Sequence, residues 1–170
     1  MNREQKIVAA GAASGVLAML AALLALSGWF LSLQADADAG ERLAFAAQWN
    51  AVAAAPLFFS IAAIGNARFK SEAIDPTAGK ESHAMIVNGR VVDNTLQQYA
   101  LFVAASLAVA AGSRGDELGV VPAAAAVFVV ARFAFWIGYR IDPLYRAFGM
   151  AATSYLNVVL FGYAAWLASS

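Results

Sequence analysis

Five long apolar blocks constrain this chain more than any other feature of its sequence. They are residues Ile7–Leu33, Leu43–Ile64, Val91–Ala111, Val120–Ile137 and Gly149–Ala168. Each block reaches or approaches the roughly 20 residues that a helix needs to cross a bilayer. The fourth reaches that length only if its helix continues through Gly138 and Tyr139. Because lipid cannot satisfy exposed backbone polar groups, helices are the natural spanning form for such blocks. We therefore predict an all-α integral membrane protein.

The composition supports a membrane protein and excludes several classes of site. Charged residues make up 13% of the chain, about half the share in a soluble domain. The formal net charge is zero, so no overall field indicates a nucleic-acid partner. There are no cysteines and one histidine, His83. Thiolate nucleophiles and cysteine or histidine-rich metal centres are thereby excluded. We predict no metal and no nucleic acid, and we interpret His83 as an ordinary loop residue.

The first block has two interpretations. The basic segment before it and Ala35-Asp-Ala37 after it resemble a secretory signal with a cleavage site. Its apolar run is, however, far longer than the roughly 7–15 residues of a signal core. We favour a retained helix, so residues 1–34 form an additional N-terminal transmembrane helix before four spans in residues 43–170. Small residues form one face of this helix and suit close packing on the bundle: Gly11, Ala12, Ala13, Gly15 and Ala18.

Basic residues are distributed unequally between the two sets of loops. With a cytoplasmic N-terminus, the following lie inside or at the inner interface: Arg3, Lys6, Arg68, Lys70, Lys80, Arg90, Arg140 and Arg146. Only Arg42 and Arg114 fall outside. Cytoplasmic loops of membrane proteins carry an excess of lysine and arginine. We therefore predict a cytoplasmic N-terminus and an outside C-terminus.

A polar stripe opens the third span, formed by Arg90, Asn94, Gln97 and Gln98. Steps of four, three and one residues place these side chains on one helical face. Lipid cannot satisfy them, so they must face other helices or a ligand. A ligand site and interhelical hydrogen bonds both remain possible for the amides, and Arg90 has the alternative of anchoring the helix at the interface.

A second polar group leaves the fourth span on the same inner side: Tyr139, Arg140, Asp142 and Arg146. Arginine offers a bidentate fork for a carboxylate, and amides bind peptide groups. The two stretches together therefore predict a site for a small anionic ligand at the inner membrane face. The structural alternative is that the arginines follow the positive-inside rule and Tyr139 belongs to the interfacial aromatic belt.

Two residues inside spans need their own explanation. Arg132 lies well within the fourth span, where an arginine costs roughly 2.5–3.5 kcal/mol on insertion scales. We interpret it as a structural buried charge paired with Asp93, or with carbonyls and amides of the third span, in preference to a ligand contact. Pro56 predicts a kink or local adjustment in the second span.

Two motifs resemble a known family. An arginine at 90, an asparagine four residues later, a polar residue at seven and a phenylalanine at twelve resemble the second-helix signature of MAPEG proteins. These are the membrane-associated proteins in eicosanoid and glutathione metabolism. The stretch 131–139, with Arg146 seven residues beyond Tyr139, resembles that family's third helix and following loop. The resemblance covers about Leu43 to Ala168, as in a bacterial-type member with an extra N-terminal helix.

The resemblance implies a homotrimer of four-helix subunits that uses glutathione as a co-substrate near the cytoplasmic surface. Arg90, Asn94, Gln97, Gln98 and Tyr139 would bind the peptide, and Arg146 would stabilise its thiolate. The thiolate would then attack an apolar electrophile or a lipid hydroperoxide arriving from the bilayer, which makes the expected activity that of a transferase or peroxidase.

Two positions depart from the family pattern. Gln97 stands where members commonly have glutamate, and Phe135 stands where some glutathione-using members have tyrosine. These changes sustain an alternative, a non-catalytic protein of the same fold that binds a lipid or another anion. A transporter or channel is a weaker third interpretation, because the spans lack paired broken helices.

Overall fold

The described residues, 1–30 and 35–169 of a computed structural model, form six α-helices and no strand. The helices are α1 (Arg3–Ser27), α2 (Ala39–Ala53), α3 (Ala55–Phe69), α4 (His83–Gly112), α5 (Val120–Ile141) and α6 (Arg146–Ser169). Because α2 and α3 together make one span, five helical segments of this part of the chain are long and apolar enough to cross a membrane. The predicted all-α membrane fold is confirmed. The end of the first predicted block, 31–33, lies outside the described residues.

The second span is interrupted next to Pro56, where the sequence predicted a kink or local adjustment. Pro56 lies in the first turn of α3, and α2 ends at Ala53. The Ala54 N–H donates to the Asn50 carbonyl, and the Phe58 N–H donates to the Ala54 carbonyl. The Asn50 carbonyl also accepts a hydrogen bond from the Tyr99 hydroxyl at 3.0 Å. The chain therefore passes the proline with its local carbonyls satisfied and continues as one span.

Helix α5 forms the centre of the bundle and packs against α1, α2, α4 and α6. Its Phe128 is fully buried and lies 4.8 Å from the ring of Phe102 in α4. Since α5 continues to Ile141, the fourth predicted block does extend through Gly138 and Tyr139.

Two glycines bring α5, the following turn and α6 into close contact. A Cβ at Gly149 would collide with the backbone of Ala131 and Phe135 in α5. A Cβ at Gly138 would lie 2.8 Å from the carbonyl oxygen of Tyr145. The segment that carries Tyr139 and Arg146 is therefore held by backbone contacts that tolerate no larger side chain.

Helix α1 packs against α6 and α5. A Cβ at Gly15 would collide with the backbone of Phe148, and Met19 and Leu23 are buried. The predicted small-residue packing is confirmed at Gly15, whereas Ala18 is exposed. Close packing therefore uses only part of that face.

Arg42 has a structural role at the opposite end of the bundle. Its guanidinium donates to the carbonyls of Ala110 and Ala111 at 3.1 and 3.2 Å, and to that of Ala37 at 2.7 Å. The last carbonyls of a helix lack intrahelical partners. Arg42 therefore caps α4 and ties it to the segment before α2.

Candidate functional site

The end of the bundle where α4 begins and α5 ends, here called the Arg90 end, carries two groups of polar side chains. In the first group, the Arg146 guanidinium lies 4.8 Å from the centre of the Tyr139 ring. Asp142 shapes the turn between them, since its carboxylate accepts from the Leu144 N–H at 2.7 Å. Arg146 is exposed and has no ion pair among the described residues. Its charge is positioned by an aromatic ring and remains available to an anion.

The Tyr139 ring continues a stack of cations and aromatic rings. It meets Phe135 edge-on at 5.9 Å, and the Arg132 guanidinium lies 4.0 Å from the centre of the Phe135 ring. The order Arg132, Phe135, Tyr139, Arg146 therefore runs from the interior of the bundle to its surface.

Arg132 joins three helices inside the bundle. The side chain is 1% exposed and donates to the hydroxyls of Thr95 in α4 at 2.7 Å and Thr153 in α6 at 3.3 Å. Its Nε has no partner in the described structure. The interpretation of Arg132 as a structural buried charge fits these contacts, because its donors are directed at other helices.

The structure contradicts the pairing of Arg132 with Asp93, and in the third span the guanidinium donates to the Thr95 hydroxyl and not to the predicted carbonyls and amides. Asp93 is exposed and forms no ion pair with Arg132. Residues two apart on a helix point about 160° away from each other. Because Thr95 faces α5, Asp93 must face away from it. The buried charge is thus solvated by hydroxyls and an aromatic ring, and Asp93 belongs to the surface.

The polar stripe is divided between the interior and the surface. Gln98 is buried, and its side-chain oxygen accepts from Asn157 of α6 at 2.9 Å. The interhelical interpretation therefore applies to Gln98, and we remove it from the candidate site. Arg90 and Gln97 are exposed. Asn94 lies between these environments, and its buried side-chain oxygen has no partner.

A buried asparagine that the sequence did not single out sets the orientation of α4. The side-chain oxygen of Asn88 accepts from the Trp136 indole N–H of α5 at 2.9 Å. Arg90 follows two residues later, so it points away from α5. In the sequence, Asn88 was recognisable only as a polar residue next to the apolar span. Its partner Trp136 could not be predicted.

Arg90 instead lines a depression of about 200 Å³, here called the charged depression, whose lining residues are Arg68, Glu81, Met85, Ile86, Gly89, Arg90 and Asp93. Arg68 and Glu81 form an ion pair across it at 2.6 Å. No hydrogen bond, ion pair or ring contact among the described residues joins this depression to Tyr139 or Arg146. Within the described part of one subunit, the two groups of the predicted site are therefore not in direct contact.

The comparison with known families decides the affiliation. The model of the MAPEG family matches residues 45–166. This chain belongs to the MAPEG family. Helix α1 of this MAPEG protein lies before the matched residues. No curated protein and no solved structure matches the chain.

Proposed function

We propose that this MAPEG protein is a glutathione-dependent transferase or peroxidase acting on apolar electrophiles or lipid hydroperoxides. The observation that carries the proposal is the exposed Arg146 guanidinium, held over Tyr139 at 4.8 Å without an anionic partner among the described residues. A permanent cation beside a thiol favours the thiolate, which is the reactive nucleophile. Arg146 is the proposed catalytic residue, and the Tyr139 hydroxyl donates a hydrogen bond to the bound peptide.

The chemistry requires only glutathione and the second substrate. In conjugation, the thiolate forms a carbon–sulfur bond while a leaving group departs or a proton adds to the product. In peroxide reduction, sulfur attacks the terminal oxygen of the hydroperoxide and the oxygen–oxygen bond breaks. The alcohol leaves, and a second glutathione converts the sulfenic acid to a disulfide and water.

Peptide binding is proposed for Arg90, Asn94 and Gln97 of α4. Arg90 suits a carboxylate, because its fork can donate two parallel hydrogen bonds. The unpartnered oxygen of Asn94 is suited to a peptide N–H, since a buried acceptor without a donor is costly. Gln97 is exposed on the same side and offers an uncharged amide.

The site is completed by a neighbouring copy in this proposal. Arg90 points away from α5, while Tyr139 and Arg146 lie at the α5–α6 turn. A homotrimer that places the α4 face of one subunit against the α5–α6 turn of the next brings sulfur and peptide groups together. The excess of arginine and lysine at the Arg90 end supports a site on the cytoplasmic side of the membrane. We propose that this membrane is a bacterial inner membrane.

The test compares two arginines at the same end of the bundle. Wild type, Arg146→Ala and Arg140→Ala are purified in detergent, and glutathione binding and conjugation rates are measured with a panel of apolar electrophiles. Arg140 is a matched control, because it is also exposed and has no ion pair within the described ranges. We expect conjugation to fall in Arg146→Ala and to persist in Arg140→Ala. Undiminished conjugation in Arg146→Ala, or no binding at millimolar glutathione in wild type, contradicts the proposal.

A non-catalytic lipid- or anion-binding protein is the second candidate. It is favoured by Gln97, which brings no charge, and by Phe135, whose ring carries no hydroxyl and is covered by Arg132 at 4.0 Å. This candidate predicts a lipid that copurifies with the protein and is not displaced by glutathione.

A further inference from the structure

Asp93 is a carboxylate without a partner at the surface of the charged depression. It is exposed and makes no hydrogen bond or ion pair among the described residues. Arg90, three residues earlier on α4, is likewise exposed and unpaired. Side chains three apart on a helix lie close enough to interact. Arg90 and Asp93 nevertheless form no ion pair with each other. One positive and one negative charge at the same depression are therefore free to bind a ligand.

The other two charges of the depression are already satisfied by each other. Arg68 donates to one carboxylate oxygen of Glu81 through Nη2 at 2.6 Å and through Nε at 3.2 Å. This pair connects the end of α3 to the residues just before α4. This pair carries no net charge, and Met85 and Ile86 add apolar surface, so the unpaired charges of the depression are those of Arg90 and Asp93.

Gly89 leaves open space in the lining of the depression. Gly89 lies one turn before Asp93, and a Cβ placed there would meet no atom within 4 Å. The volume of about 200 Å³ is enough for an amino-acid-sized group. One cationic and one anionic side chain around such a space are complementary to a compact zwitterion.

We infer that Arg90 and Asp93 together bind the α-amino-acid end of the ligand, Arg90 its carboxylate and Asp93 its ammonium. The inference rests on the proposed function and deepens it, because this end of glutathione is the γ-glutamyl group. Gln97 lies one turn after Asp93 and contributes at most hydrogen bonds. Asp93 supplies the negative charge that Gln97 lacks, and the protein thereby selects thiol peptides with a free α-ammonium.

The experiment varies the ammonium and the carboxylate separately. Calorimetric titration of the full-length protein uses glutathione and N-acetylglutathione, in which the amide carries no charge. The variants are Asp93→Asn, Asp93→Ser and Asp93→Glu, and Asp36→Asn is the control, since Asp36 is an exposed carboxylate before α2 without an ion pair. Steady-state conjugation is measured on the same proteins.

Wild type is expected to bind glutathione about 10-fold more tightly than N-acetylglutathione, which corresponds to about 1.4 kcal/mol. Asp93→Asn and Asp93→Ser should bind the two peptides alike, with KM for glutathione raised and kcat unchanged. Asp93→Glu and Asp36→Asn should keep the preference. A rise in KM with unchanged kcat separates recognition of the ammonium from a general loss of folded protein.

Three results overturn the inference, and they separate it from the proposed function. Equal binding of both peptides by wild type removes ammonium recognition but leaves the transferase intact. A wild-type preference that survives in both neutral variants removes Asp93 from the site. Binding of neither peptide by wild type overturns the inference and the proposed function together.

Discussion

Two arginines of this protein lie against aromatic rings, yet their surroundings give them opposite roles. Arg132 is 1% exposed and directs its guanidinium at two threonine hydroxyls of other helices. Arg146 is exposed, and its guanidinium has a ring on one face and no anion within the described structure. Both side chains are cations, so charge alone does not distinguish them. A structural arginine has its guanidinium N–H groups engaged by other helices, whereas a candidate catalytic arginine has them available to a ligand.

The largest loss of stability is expected when the buried arginine, Arg132, is replaced. Arg132→Ala removes the bonds that join α4, α5 and α6 and leaves a cavity, so the free energy of unfolding should fall by about 3 kcal/mol. Unfolding in mixed detergent micelles measures it. Arg146→Ala serves as the control and should change stability by less than about 0.5 kcal/mol. Equal losses in the two variants would remove the distinction between the arginines.

The next largest loss of stability is expected where α1 packs against the start of α6. Gly15→Leu forces a side chain against the Phe148 backbone and should destabilise the fold by roughly 1–3 kcal/mol. Gly65→Leu is the matched control, because a Cβ at Gly65 meets nothing within 4 Å. The same unfolding assay checks both. If Gly15→Leu is as stable as Gly65→Leu, α1 is not held by this contact.

The exposed side of the comparison should affect chemistry and leave the fold unchanged. Arg146→Ala is expected to lower the thiolate fraction of bound glutathione by at least about 10-fold near neutral pH, since each pKa unit corresponds to about 1.4 kcal/mol. Difference absorbance of the bound thiolate measures this fraction. Arg132→Lys, which keeps the buried charge, is the informative partner variant. A larger thiolate loss in Arg132→Lys than in Arg146→Ala would reverse the proposed roles.

The smallest change is expected at Gln98, the amide of the polar stripe that is buried between helices. Gln98→Leu removes the side-chain bond with Asn157, whose amide keeps its bond to the Gln98 backbone carbonyl at 3.1 Å. The loss should cost about 0.6 kcal/mol, the average for polar contacts between membrane helices. A double-mutant cycle with Asn157→Leu isolates the coupling. Glutathione affinity should stay within about twofold of wild type. A large loss of affinity in Gln98→Leu would return this residue to the ligand site.

The spans could be predicted from the sequence, because a bilayer imposes length and apolarity on each helix separately. Pro56 likewise marked the adjustment in the second span, since its effect on the backbone is local. The partners of polar residues could not be predicted in the same way. Arg42 caps carbonyls 68 and 69 residues away, and no local pattern encodes such a contact.

The candidate site shows the same limit at finer scale. The spacing of Arg90, Asn94, Gln97 and Gln98 correctly placed them on one side of a helix, but not which edge of that side faces α6. A rotation of two residues separates Thr95, which binds Arg132, from Asp93, which faces the charged depression. Periodicity gives relative directions around a helix, and only the packing of neighbouring helices fixes the absolute one.

A pH titration of thiolate absorbance, for glutathione bound to wild type and to Arg146→Ala, tests directly whether Arg146 stabilises the thiolate. A cation beside sulfur lowers the pKa of the thiol, so the thiolate should appear in wild type at lower pH than in free glutathione. In Arg146→Ala, with binding retained through the α4 residues, the midpoint should return toward that of free glutathione. Coincident titration curves for the two proteins would contradict the assignment of Arg146 to the sulfur.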